Sequence, residues 1–148
     1  MGKTINRKEF LTLIGGGAAT AVLLSCLGCS KNGQNPDGGQ NNVKGPTGVD
    51  FTLDLSTSAN AALLSNGGSL ASQGILVART EAGAYIAVQQ SCTHQNYPLV
   101  YEGASHEFYC NNHGSAFSEA GVVQNAPANR NLTVYNTTLT GTSLRVYS

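Results

Sequence analysis

Two short boxes in this chain hold residue types that bind metals. The first is Cys92-Thr93-His94; fifteen residues later comes Cys110-Asn111-Asn112-His113-Gly114-Ser115-Ala116-Phe117. A thiolate is a soft ligand and an imidazole a borderline one, so two sulfurs and two nitrogens point to zinc or to an iron–sulfur cluster. Structural zinc sites usually leave about two to four residues between paired ligands. Cys92 and His94 leave one, which suits two ligands reaching different atoms of a wider object. A [2Fe–2S] centre with two cysteines on one iron and two histidines on the other is such an object. Zinc and a plain disulfide between Cys92 and Cys110 are the alternatives.

The boxes resemble those of the Rieske family, Cys-x-His and Cys-x-x-His, with Gly and often Ser after the second His. The resemblance implies one [2Fe–2S] cluster, with Cys92 and Cys110 on one iron and His94 and His113 on the other. Gly114 and Ser115 extend the match, and Ser115 is then a donor to a bridging sulfide. Further on, Gly121-Val122-Val123 belongs to the same resemblance. Asn125-Ala126-Pro127-Ala128 resembles a variant of the family's Gly-Pro-Ala loop that shields the cluster, with Asn125-Ala126 where the family has Gly.

The remaining composition narrows the function classes. The chain has 148 residues, of which 11% are charged, with a formal net charge of zero. No basic field is present for a nucleic acid, and no phosphate-binding glycine motif, heptad or internal repeat stands out. Glycine is abundant at 18 residues and Trp is absent, a composition that suits short strands and tight turns. The third histidine, His106, lies away from the boxes and is expected to be a solvated surface residue.

The N-terminus reads as an address rather than as part of a fold. Lys3, Arg7 and Lys8 precede an apolar and small-residue run from Phe10 to Leu24. That run is shorter than the roughly twenty residues of a membrane span. Leu23-Leu24-Ser25-Cys26 resembles a bacterial lipobox, which implies removal of residues 1–25 and lipidation of Cys26; Leu27-Gly28-Cys29 is a rival box. Asn6-Arg7-Lys8-Glu9-Phe10-Leu11 is similar to a twin-arginine export signal with Lys8 in place of the second arginine. From Cys26 onward there are five basic and seven acidic residues, a net charge of −2. Residues 26–48 comprise the lipidated terminus and a polar stretch rich in Gly, Asn, Gln and Pro, expected to be a flexible tether.

The folded domain is expected over 49–148, with order beginning at Val49. Val49 to Leu55 alternates strictly, which predicts a strand with one buried face. Ala61 to Leu64 suggests a helical turn. Ser69 to Ala71 and Ile75 to Thr80 flank a turn, and Ala84 to Gln89 follows. Leu99 to Tyr101 and His106 to Tyr109 frame a small hairpin between the boxes, which sit in loops. Leu132 to Asn136 and Ser143 to Tyr147 form a closing hairpin around Thr140-Gly141. Eight or nine short strands predict an all-β fold, a small antiparallel sandwich or barrel. The resemblance adds a cluster-binding subdomain that presents its ligands at two loop tips.

The function expected from these features is electron transfer by a lipid-anchored protein of the bacterial cell envelope, on the extracytoplasmic side. Redox proteins, a cytochrome or an oxidoreductase subunit, are the expected partners, and the domain alone transforms no substrate. The alternatives are the Rieske subunit of a quinol–cytochrome or similar oxidoreductase complex, and a structural domain with zinc or no metal. A ring-hydroxylating oxygenase is disfavoured, because no further domain is present for its catalytic iron. Rieske subunits of quinol-oxidising complexes usually carry an extra cysteine after each box, joined as a disulfide, and a Tyr four residues after the second His. Here those positions hold Tyr97, Asn112 and Phe117. With one hydroxyl donor missing and Ser115 kept, the midpoint is expected in the lower or middle part of the family's span of about −150 to +300 mV.

Intact-mass analysis of the protein extracted from membranes checks the N-terminal reading. The expected mass is that of a chain beginning at an acylated Cys26; a chain still beginning at Met1, or an unmodified Cys26, contradicts it.

Overall fold

A computed structural model of the chain describes residues 43–148; the leader, Cys26 and most of the tether lie outside the described residues. Ten strands run in chain order. They are β1 (Asp50–Asp54), β2 (Ser69–Ser72), β3 (Ile75–Arg79), β4 (Tyr85–Gln89), β5 (Val100–Glu102), β6 (Glu107–Tyr109), β7 (Ala116–Ser118), β8 (Val123–Asn125), β9 (Val134–Thr140) and β10 (Ser143–Tyr147). Short 3-10 helices occupy Ser58–Leu64 and Gly103–Ser105. All strand pairings are antiparallel, in a six-stranded sheet of order β1-β10-β9-β4-β3-β2 and a four-stranded sheet of order β5-β6-β7-β8. The all-β expectation is met.

Strand β3 explains why the two sheets stay together. Its residues Ile75, Leu76, Val77 and Ala78 are all buried, and successive side chains of a strand point to opposite faces. Ile75 and Val77 join Leu53, Leu63, Ala87, Tyr135, Leu144 and Val146 in one core. Leu76 and Ala78 join Val88, Leu99, Tyr101, Phe108, Phe117 and both cysteines in the other. The second core is thus the interface between the large sheet and the sheet that carries the boxes. Phe108 and Phe117 pair directly across β6 and β7, and both are fully buried.

Three details differ from the sequence reading. The count of strands is ten rather than eight or nine. Part of the second box, Ala116-Phe117, is strand and not loop; three residues are too few for alternation to reveal. Order also begins before Val49. Gly45 is buried, its N–H donates to Thr133 Oγ1 at 3.2 Å, and Tyr135 Oη donates to the Pro46 carbonyl at 2.8 Å. The last residues of the polar stretch, 43–48, therefore pack on the domain. They do so through backbone groups, which composition does not reveal.

Gly45 has no room for a side chain: a Cβ there would collide with Tyr135 Oη and lie 2.8 Å from Gln89 Cβ. Overpacking of this kind costs about 1–3 kcal/mol. Gly45→Ala is expected to lower stability by that amount in urea denaturation, which an unstructured residue 45 would not do.

Candidate metal centre

The two boxes form loops closed in the same way. In the first, the Cys92 N–H donates to the Tyr97 carbonyl at 2.7 Å, and the Asn96 N–H donates back to the Cys92 carbonyl at 2.9 Å. In the second, the Cys110 N–H donates to the Ser115 carbonyl at 2.9 Å, and the Gly114 N–H donates back to the Cys110 carbonyl at 3.0 Å. The fourth residue after each cysteine has positive φ, 60° at Asn96 and 80° at Gly114. Asn and Gly are the residues that tolerate that conformation best. Each loop thus doubles back over its own cysteine. An Asn or Gly four residues after each Cys was a signal in the sequence for this closure.

The loops sort their candidate ligands by depth. Cys92 and Cys110 are buried, while His94 is partly exposed and His113 exposed. Both cysteines are free thiols. Burial pushes the Cys92 thiol pKa up. The His94 backbone N–H at its sulfur lowers it, the neighbouring Cys110 thiol raises it, and the Ser115 hydroxyl lowers it. The rings of His94 and His113 meet edge to face, with centroids 4.9 Å apart and planes at 71°. The donors therefore pair like with like, sulfur beside sulfur and imidazole beside imidazole. Among the described residues, no three His, Cys, Asp or Glu side chains are grouped as ligands of a single ion.

One observation tests the set against a two-iron centre. His94 Nδ1 is buried without a hydrogen-bond partner, an arrangement that costs free energy unless something else meets the lone pair or proton. A metal ligated by that nitrogen satisfies it. With two buried thiols beside each other and two imidazoles at the rim, the residues fit a cluster held by two sulfurs and two nitrogens.

Ser115 is fully buried. The segment from Asn125, the last residue of β8, to Arg130 is tied to both boxes: Thr93 Oγ1 donates to the Arg130 carbonyl at 2.7 Å, Asn125 Nδ2 to the Gly114 carbonyl at 2.7 Å, and the Ala128 N–H to Ser115 Oγ at 3.0 Å. The Thr93 and Asn125 contacts were not foreseen, since no local pattern marks a tertiary hydrogen bond. Tyr97 and Asn112 both approach His113. The Tyr97 ring lies 6.4 Å away at 74°, and Asn112 Nδ2 is 3.1 Å from His113 Nδ1. His106 is 60% exposed and lies away from the boxes, 3.3 Å from Glu119 Oε1. Glu119 also accepts a 2.5 Å hydrogen bond from buried Tyr101, whose pKa is raised chiefly by burial and then by that carboxylate.

Comparison with known proteins bears on the fold and the family. No curated protein matches the sequence. Among solved structures, the chain is similar to the plasma membrane Rieske protein PetC3 of Synechocystis PCC 6803, at 27% identity and TM-score 0.48, over 55% of this chain and 85% of that one. It is also similar to the ferredoxin of carbazole 1,9a-dioxygenase from Nocardioides aromaticivorans IC177, at 19% identity and TM-score 0.51, over 69% of this chain and 98% of that one. Naphthalene 1,2-dioxygenase matches at 19% identity and TM-score 0.51, over 68% of this chain and 26% of that one. At such identities the last two likenesses concern the fold alone. The sequence model of the Rieske [2Fe-2S] domain matches residues 56–136, more than half of the chain and both boxes, and the chain belongs to that family.

Proposed function

We propose that the chain is a single-electron carrier of the cell envelope, anchored by a lipidated Cys26. In this reading Cys92, Cys110, His94 and His113 hold one [2Fe–2S] cluster. Membership of the Rieske family supports electron transfer in general terms. The observation that carries the finer reading is the sorting of ligands by depth: both thiols are buried and His113 is exposed. When bound, the cluster supplies one-electron chemistry at a potential raised by its neutral imidazole ligands.

The protein's own groups account for the rest. Phe108, Phe117 and Leu99 pack around the cysteines and exclude water from the sulfurs. Ser115 Oγ already accepts the Ala128 N–H, so its own proton is available for a sulfur. Hydrogen bonds to cluster sulfurs favour the more negative, reduced state. The imidazoles at the rim offer the short path by which an electron leaves. On the two box loops the exposed residues Gln95, Asn96, Tyr97, Asn111 and Asn112 carry no formal charge. A partner docking on this tip is selected by shape and hydrogen bonding more than by electrostatic steering.

The anchor rests on the Leu23-Leu24-Ser25-Cys26 resemblance. Among the described residues no helix is long and apolar enough to cross a membrane. An alternative arrangement, in which the chain is the Rieske subunit of a larger oxidoreductase, differs in its partners and not in its centre. Co-purification from detergent-solubilised membranes separates the two: a stable complex favours the subunit, a monomeric lipoprotein the carrier.

Metal analysis of anaerobically prepared protein is expected to find two irons and two labile sulfides per chain; one zinc and no sulfide refutes the reading. His94→Ala and His113→Ala are expected to abolish the Rieske EPR signal, and His106→Ala to leave it intact.

The missing hydroxyl at Phe117 yields a second expectation, read by protein-film voltammetry at neutral pH. The wild-type midpoint is expected in the lower or middle part of the family's span of about −150 to +300 mV. Phe117→Tyr should raise it and Ser115→Ala lower it. A wild-type value near the top of the span contradicts the account of these donors.

A further inference from the structure

The segment Asn125–Ala128 grips Ser115 at two points. Ahead of Ser115, Asn125 Nδ2 donates to the Gly114 carbonyl at 2.7 Å. That carbonyl belongs to the peptide plane joining Gly114 to Ser115, so the bond holds the plane that sets where Ser115 begins. At the side chain, the Ala128 N–H donates to Ser115 Oγ at 3.0 Å in a buried setting. On the far side of the residue, the Ser115 carbonyl is held by the Cys110 N–H at 2.9 Å.

A hydroxyl has one proton and two acceptor lone pairs. With Oγ accepting from Ala128, the proton must point away from that N–H. The Ser115 hydroxyl is among the groups that lower the pKa of the buried Cys92 thiol, which favours the proton on the sulfur side of the site. Gly114 sits at φ 80°, and without a Cβ it relies on hydrogen bonds to fix its conformation. The loop's own bonds hold its N–H and the next carbonyl, and the bond from Asn125 adds the restraint on its own carbonyl.

We infer that Asn125 is a positioning residue for the site's hydroxyl donor: by fixing the Gly114–Ser115 peptide it holds the Ser115 proton toward the sulfurs and thereby sets the redox midpoint. This rests on the [2Fe–2S] reading proposed above. The side-chain hydrogen bond of Asn125 goes to the Gly114 carbonyl and to neither a thiol nor an imidazole, so its effect is carried by Ser115.

A double-mutant cycle tests it, since residues acting through one interaction are non-additive. Midpoints and EPR g-values are measured for wild type, Asn125→Ala, Ser115→Ala and the double variant, with Gln124→Ala as the exposed neighbour. Asn125→Ala is expected to lower the midpoint part or all of the way to that of Ser115→Ala. In the Ser115→Ala background it should cause no further shift, and Gln124→Ala should leave the midpoint unchanged. Asn125→Ser, too short to span the gap, gives the same cycle if Asn125→Ala does not assemble. Equal shifts in both backgrounds, or no shift in either, with the cluster present, overturn the role of Asn125 alone. Wild-type protein without two irons and two sulfides overturns the cluster reading, and the inference falls with it.

Discussion

Each ligand loop is held by a backbone hydrogen bond from its cysteine N–H to the carbonyl five residues on, Tyr97 in one loop and Ser115 in the other. That bond forces the chain to reverse within six residues, and the reversal is possible because the fifth of them takes positive φ. Its consequence is an ordering in depth. The cysteine at the start of each loop stays with the strands, near the core, while the histidine two or three residues later is carried outward. A pair of buried thiols and a pair of imidazoles at the surface are thus produced by the same small closure used twice.

The rest of the fold gives that closure a rigid floor. The second loop is the connection between β6 and β7, whose Phe108 and Phe117 face each other in the core beside both sulfurs. The first loop leaves β4 and returns to β5, bringing Leu99 into the same core. Strand β3, buried on both faces, joins this core to the larger sheet. Displacing a ligand loop would disturb aromatic packing that the domain needs in order to fold, because interiors packed at such density transmit strain. The site and the stability of the domain therefore share residues, Phe117 above all.

The segment from Asn125 to Arg130 ties the two boxes to one another. Thr93 bonds to its far end at Arg130, and Gly114 and Ser115 bond to its near part. Tyr97 of the first loop also approaches His113 of the second. No covalent bond joins the two boxes among the described residues, and these weaker contacts take up that task. Each is worth on the order of 1 kcal/mol, so their effect lies in geometry more than in stability.

Much of this was legible in the sequence. Candidate ligands are marked by residue type and spacing, so Cys92, His94, Cys110 and His113 could be singled out before any coordinates. Strands of five residues or more, such as β1 and β10, announce themselves by alternation, because one face must be buried. Three-residue strands such as β7 do not, since too few positions are present to establish a period. The docking of Gly45 and Pro46 and the bonds from Asn125 and Thr93 were decided only in the tertiary structure. They join backbone and side-chain groups as many as 89 positions apart, and a polar residue carries no mark of which distant carbonyl it will meet. Hydrophobic pattern is repeated along a chain and can be read locally. A single hydrogen bond between distant residues exists only once the packing of both has been settled.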